Sequence, residues 1–242
     1  GTDPERIALL AIKNGLKSIP VVNKSNQILG AIPPRTIFKI LQNEGLEDVL
    51  HSAGIHKFKD PAIEIINAST FTHFKKRFPW LLVGLAGGIM AAFVVGLFEN
   101  VLEIYVLLAI FIPAIVYMAD AVGNQSQTIF IRSMSLDKDL KYWFYSIREI
   151  KINTLLGIAL GLIFYLVVLI GWKNHFFGMI IGISIMITVV TSMIISILLP
   201  VFFNKIKIDP AVSSGPFATA VRDLTSLIIY FSIAQIMIYL FL

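Results

Sequence analysis

The sequence predicts an all-α membrane protein: five transmembrane helices behind a small α/β segment. Three observations carry that expectation. Mean hydropathy is +0.81 and 57% of the 242 residues are apolar. Charged residues make up 14%, where an ordinary soluble domain carries roughly a quarter. The apolar residues are also grouped into stretches long enough to cross a bilayer. A soluble chain of this size could not hide that much apolar surface, so lipid must cover part of it.

Composition also excludes functions. The chain has no Cys, which removes disulfides, thiol chemistry and Cys-zinc sites. The net charge of +5 and the pI near 9.4 fit basic residues on cytoplasmic flanks, and no nucleic-acid partner is expected. The polar start, Gly1-Thr2-Asp3-Pro4, is no signal peptide and reads as an artificial end or the middle of a longer protein.

Residues 1–58 read as a soluble α/β fragment. Ile19-Pro20-Val21-Val22-Asn23 is a short buried strand, Lys24-Ser25-Asn26 a turn, and Gln27-Ile28-Leu29-Gly30-Ala31-Ile32 a second strand, together a hairpin. A helix is expected over 34–43, with Ile37, Ile40 and Leu41 on one face. Under sixty residues make a thin core, so this part should pack on a partner or on further chain. Residues 61–77 follow a 3.6-residue apolar rhythm (Ile63, Ile66, Thr70, Phe74, Phe78) and close on Lys75-Lys76-Arg77. That is the pattern of an amphipathic helix at a membrane surface.

The five apolar stretches are residues 79–98, 104–119, 152–172, 176–203 and 224–242. Asp120 follows the second, which then continues through uncharged 121–131, so this helix is expected to be either broken or long. The fourth is longer than a span needs and should tilt. With a cytoplasmic N-terminus, the inner flanks hold Lys75, Lys76, Arg77, Arg132, Lys138, Lys141, Arg148, Lys151, Lys205 and Lys207, while the outer loops hold only Lys173. This asymmetry predicts a multi-pass cell-membrane protein with its C-terminus outside.

Small residues recur four apart: Gly84, Gly88, Ala92 and Gly96 on the first span, Gly157 and Gly161 on the third, Gly178 and Gly182 on the fourth. Such stripes let helices approach closely. Ordinary packing explains them, and a dimer seam or a pore-side role remains open.

Ionisable residues at membrane depth are costly and point to function. Here they are all acidic: Glu99, Glu103, Asp120, Asp209 and Asp223. No matching basic residue lies within the spans except Arg222, near an end. Acids without internal partners suit a cation path. Ser213-Ser214-Gly215-Pro216 reads as a helix start with a Ser cap, which puts Asp223 about 10 Å into the last helix at 1.5 Å per residue. Thr219, Asp223, Ser226 and Tyr230 then share one face. Asp223 could instead pair with Arg222 or cap a helix. Glu99 and Glu103 are one turn apart at the outer mouth, or in a solvated loop. Asp120-Ala121-Val122-Gly123-Asn124-Gln125-Ser126-Gln127 is a polar block inside a span, tolerated where it lines water or is buried in protein.

Oxygen ligands without a His or Cys cluster favour a hard cation. Few, dispersed carboxylates fit Mg²⁺, which keeps much of its water; Na⁺ and protons stay open. His51, His56, His73 and His175 are scattered, and no phosphate loop, zinc-protease motif or nucleophile elbow occurs. An enzyme is not expected.

The order of motifs is distinctive: Phe78-Pro79-Trp80-Leu81; Phe98-Glu99-Asn100-Val101-Leu102-Glu103; Pro113; Gly123-Asn124-Gln125-Ser126 with Arg132; Arg148-Glu149; Asp209-Pro210-Ala211; Ser214-Gly215-Pro216-Phe217; Asp223 and Tyr230. Residues 60–242 resemble the MgtE family of magnesium transporters and channels. The resemblance implies a homodimer of five-helix protomers, with the ion path on the two-fold interface. In it Asp223 matches the aspartate that holds hydrated Mg²⁺, Thr219 a position lending its backbone carbonyl, and Asn124 a pore-lining asparagine. Residues 59–78 match the connecting plug helix. Residues 7–43 resemble the second half of a CBS motif, with Pro33-Pro34-Arg35 where a nucleotide-binding Thr-x-x-Asp pattern would stand. Two departures from the family pattern are Asp120-Ala121-Val122 in place of Gly-Gly-Asn, and Arg222 directly before the pore aspartate.

The resulting expectation is Mg²⁺ transport, with Mg²⁺ as the transported ion, through a path lined by Asp223, Thr219, Asn124, Asp209, Asp120, Glu99 and Glu103. The domain boundaries expected are 1–58, 59–78 and 79–242. Na⁺-coupled divalent exchange, and a CBS-linked membrane sensor without transport, are the alternatives.

Overall fold

A computed structural model describes residues 4–55, 65–137 and 139–241. The chain divides into two compact units, Gly1–Arg77 and Phe78–Leu242.

The first unit begins with α1 (Pro4–Lys13), followed by strands β1 (Ile19–Val22) and β2 (Ile28–Ile32) and helix α2 (Pro34–Ser52). The two strands pair antiparallel, with Ile19 opposite Ile32 and Val21 opposite Gly30. The hairpin expected from sequence is therefore present. Asn23 closes it: its Oδ1 accepts from the Ser25 and Gln27 amides, both at 2.9 Å. Asn26 takes the left-handed conformation at φ 60°, which Asn tolerates better than most residues. Ala8, Ala11 and Ile37 form the buried core, with Ile19, Ile32, Ile40 and Leu41 packed against it. The burial expected for the first strand is corrected: Val21 and Val22 are exposed, as are Ile28, Leu29 and Phe38, so the fragment buries only part of its apolar surface. Helix α2 runs nine residues past the end expected at 43, to Ser52.

The amphipathic helix expected over 61–77 is corrected on two counts, while its residues 61–64 lie outside the described residues. Residues 65–67 are helical but Ala68 and Ser69 are not. Ser69 starts a new helix instead: its Oγ accepts from the Thr72 amide at 3.3 Å and its carbonyl from the His73 amide at 3.1 Å. A Ser in this position satisfies one of the free amides of a helix N-terminus. The basic segment is then continuous with the first span as α3 (Thr70–Gly96), which runs through Pro79.

The other elements are α4 (Glu99–Ile104), α5 (Val106–Leu136), α6 (Tyr142–Trp172), α7 (His175–Lys205), a 3₁₀ turn (Pro210–Ser214) and α8 (Pro216–Phe241). Helices α3, α5, α6, α7 and α8 are the five long and apolar enough to span a membrane, with mean hydropathies of 1.9 to 2.6. The second span is long and unbroken. The third starts ten residues before the start expected at 152, because charged residues hid its first turns from a reading based on apolar runs. The fifth starts at Pro216, as its Ser-Ser-Gly-Pro sequence predicts, eight residues before its apolar run. The α6–α7 connection is tight. Lys173 turns the chain in the left-handed region at φ 53°, and the Asn174 side chain caps α7 by accepting from the Phe177 amide at 3.1 Å.

Helix α7 is the axis of the membrane unit, its buried residues running from Phe177 to Pro200. One apolar cluster joins Leu108, Phe111 and Ile115 of α5 to Ile180, Ile181 and Ile185 of α7 and to Leu227, Tyr230 and Phe231 of α8. A second joins Phe130, Tyr145, Met193 and Ile197. The small residues of α6 and α7 face each other. A Cβ on Gly161 would stand 2.5 Å from the Gly182 carbonyl oxygen, and one on Gly157 2.9 Å from that of Met186. These stripes do ordinary packing within one chain. The first span differs. A Cβ on Gly84 would stand 3.4 Å from Pro216 Cβ and Gly87 packs on Ala220, but Gly88 and Gly96 open onto free space.

Candidate ion site

A polar layer lies along α5 and α7 between the two apolar clusters. Asp120, Asn124 and Gln127 are spaced i, i+4, i+7 on α5, so one helix face presents all three. Ser192 and Ser196 come from α7, Thr219, Arg222 and Asp223 from α8, and Ser213 from the 3₁₀ turn.

Arg222 is the centre of the layer, and its side chain is 0% exposed. Its Nε donates to Asp120 Oδ1 at 3.1 Å, and Nη2 donates to the same oxygen at 2.7 Å and to Asn124 Oδ1 at 2.6 Å. Nη1 donates to Gln127 Oε1 at 2.8 Å and to Ser196 Oγ at 3.2 Å. A guanidinium has five N–H donors, and all are used here. The acceptors are tied down in turn. Gln127 donates to the carbonyl and hydroxyl oxygens of Ser213, at 3.0 and 3.2 Å. Ser196 donates to the Ser192 carbonyl at 2.8 Å, and Ser192 to the Ala119 carbonyl. Gly123 leaves room for the arrangement: a Cβ there would stand 2.5 Å from Arg222 Cδ and would also meet the Ser192 hydroxyl.

Asp120 has its own full set of partners. Besides Arg222, its Oδ1 accepts from Thr219 Oγ1 at 3.2 Å, and its Oδ2 accepts from the Asn124 amide at 2.8 Å. The expectation that the acids of the spans lack internal basic partners is therefore corrected for Asp120. The partner is Arg222, 102 residues away in sequence. Nor does Arg222 bridge to Asp223, its neighbour, since adjacent helical residues point apart.

Asp223 is half-buried on α8. Its Oδ1 is shielded from solvent and has no hydrogen-bond partner among the described residues. The stripe expected from Thr219 to Tyr230 splits at this point. Thr219 belongs to the polar layer, whereas Ser226 turns back to the Asp223 carbonyl at 2.8 Å and Tyr230 is buried against the Leu108 carbonyl at 2.8 Å. The Ser cap expected for the last helix is also corrected. Ser213 and Ser214 bond to the carbonyls of Pro210 and Ala211, both at 2.6 Å, and it is the Gly215 carbonyl that receives the first amides of α8.

The remaining candidates lie elsewhere. Asp209 caps the 3₁₀ turn by accepting from the Ala211 amide at 2.9 Å. Glu99 and Glu103 are exposed on α4. Fourteen residues of α5 separate its start from Asp120, about 21 Å of helix, so these glutamates and the polar layer are separate stations.

Sequence reasoning placed Gln127 in the polar block but missed Ser192, Ser196 and Ser213 as parts of the site, and missed the central role of Arg222. The four-residue spacing of Ser184, Thr188, Ser192 and Ser196 on an apolar helix was the available signal. It also missed a second buried cluster, in which Asn153 donates to the Glu149 side chain and to Ser126, both at 3.3 Å.

Fold and site together define a multi-pass membrane protein with acidic residues in its interior. The comparisons with known proteins agree. A family profile described as "MgtE: Divalent cation transporter" matches residues 112–233, and the chain belongs to that family. It is 28% identical over 240 residues to the "Magnesium transporter MgtE" of Bacillus subtilis and to that of Thermus thermophilus. Identity to the protein of that name from Enterococcus faecalis is 28% over 237 residues. These alignments cover 97–98% of this chain and 51–52% of each relative. The chain thus spans about half the length of the curated relatives it matches.

Proposed function

We propose that this chain transports Mg²⁺ across the cell membrane, with Asp223 holding the hydrated ion. The observation that carries the reading is the Asp223 carboxylate oxygen, shielded from solvent inside a span and without a hydrogen-bond partner among the described residues. A buried charge needs a partner, and a cation passing through would supply one. A single carboxylate with retained waters suits Mg²⁺, which gives up its hydration shell reluctantly. The relatives named as magnesium transporters support the choice of ion.

The path runs along a homodimer interface. Asn124 and Gln125 are exposed within the second span. Polar side chains at that depth belong against protein or water, not lipid. The first span has Gly87 as its buried residue among those described, which leaves most of its surface for a second copy or for lipid. Asn124 and the Thr219 backbone complete the ion's surroundings. Asp209, Glu99 and Glu103 lie nearer the ends of the path, and Asp120 shapes it from beside Asp223. Residues 1–58 are a partial CBS-like cytoplasmic domain, 59–78 a connecting segment and 79–242 the transport domain, with the C-terminus outside.

The test is Mg²⁺ uptake by proteoliposomes. Asp223→Asn keeps the shape and removes the charge, and it should abolish uptake while the protein remains monodisperse. Uptake equal to that of the unaltered chain would refute the reading.

A further inference from the structure

We propose that Arg222 is a specificity-determining positioning residue. By neutralising Asp120, it leaves each protomer with one uncompensated carboxylate facing the ion. The proposal rests on Asp223 being the ion-binding residue.

The geometry supplies the charge count. Asp120 and Asp223 each carry −1 and Arg222 carries +1, so the site has a net charge of −1. Asp120 could not hold an ion as a free carboxylate would, because Oδ1 already accepts from Arg222 twice and from Thr219, and Oδ2 from Asn124. The guanidinium cannot swing away cheaply, because all five donors are engaged by residues of α5 and α7. It also cannot lose its proton under ordinary conditions. Arg222 is thus a fixed cation beside the ion site, held by the protein and not by the ion.

Conduction requires binding strong enough to admit an ion and weak enough to release it. Carboxylate count also separates Mg²⁺ from Ca²⁺, since Ca²⁺ gathers many oxygens and Mg²⁺ takes one or two. Removing the Arg222 charge raises the site to −2 and frees a second carboxylate, a change toward a Ca²⁺ site that holds Mg²⁺ too tightly. Removing the Asp120 charge leaves Arg222 uncompensated, brings the site to zero and removes its net attraction for the ion. Removing both restores −1.

The experiment measures Mg²⁺ and Ca²⁺ uptake against concentration in proteoliposomes. The full chain is compared with Asp120→Asn, Arg222→Gln, Asp120→Asn/Arg222→Gln, Arg222→Lys and Asp223→Asn. Asp120→Asn should lower Mg²⁺ uptake by about tenfold or more, the scale of one unscreened charge a few ångströms from an ion. Arg222→Gln should lower the half-saturating Mg²⁺ concentration and raise the Ca²⁺:Mg²⁺ uptake ratio. The double variant should recover most of the Mg²⁺ uptake and the original ratio, although it has lost more hydrogen bonds than either single variant. Arg222→Lys should keep the ratio, because it keeps the charge. A double variant no better than the worse single variant, or an Arg222→Gln variant with an unchanged ion ratio, would overturn the proposal and leave Arg222 a purely structural residue. If Arg222→Gln does not yield monodisperse protein, the double variant and Arg222→Lys decide by the same criteria. Failure of the underlying reading is separately visible, as uptake by Asp223→Asn equal to that of the unaltered chain.

Discussion

The short helix α4 and the interior of the bundle both carry acids, in opposite circumstances. On α4, Glu99 and Glu103 are exposed. In the interior, Asp120 is locked to Arg222 and Asp223 stands beside them with an unpartnered oxygen. An exposed carboxylate stays ionised in water at little cost. A buried one must be compensated by charge or hydrogen bonds. The chain compensates one interior acid from within and leaves the other open. The proposed function therefore rests on which acid lacks a partner.

That contrast can be broken in several places. The largest effect is expected at Asp223, where Asn should remove Mg²⁺ uptake nearly completely at every ion concentration. Next is Gly123→Ala. Its new Cβ meets Arg222 Cδ at 2.5 Å, in the middle of a side chain whose head is fixed, so the guanidinium must leave its seat. Overpacking of this kind costs about 1–3 kcal/mol, and both the melting temperature in detergent and Mg²⁺ uptake should fall. Tyr230→Phe removes only the bond to the Leu108 carbonyl. It should cost about 0.5–1.5 kcal/mol, read as a lower melting temperature with ion selectivity unchanged. The smallest effect is expected for Glu99→Gln/Glu103→Gln. Uptake at saturating Mg²⁺ should match that of the unaltered chain, with a modest slowing confined to low ionic strength, where exposed charges still attract ions over distance.

Much of this was legible in the sequence. Hydropathy found all five spans, and the β-hairpin followed from two short apolar runs with turn residues between them. The depth of Asp223 followed from the position of Pro216. What escaped depended on contacts remote in sequence. The polar block from Asp120 to Gln127 left open a break in the second span, yet α5 is continuous because α7, α8 and the 3₁₀ turn satisfy its side chains. Arg222 read as a stray charge near a helix end, since nothing local links it to a carboxylate 102 residues earlier. The Gly84–Gly96 stripe was visible, but Gly87, which lies off it, makes the close contact with α8. Spacing gives a helix face and leaves the neighbour that covers it undetermined.

The most direct measurement sets the two acidic stations against each other: Mg²⁺ uptake at saturating ion for Asp223→Asn beside Glu99→Gln/Glu103→Gln, in proteoliposomes with equal protein content. The account predicts near-complete loss in the first and an unaltered rate in the second. Equal losses in both, or a normal rate in Asp223→Asn, would contradict it.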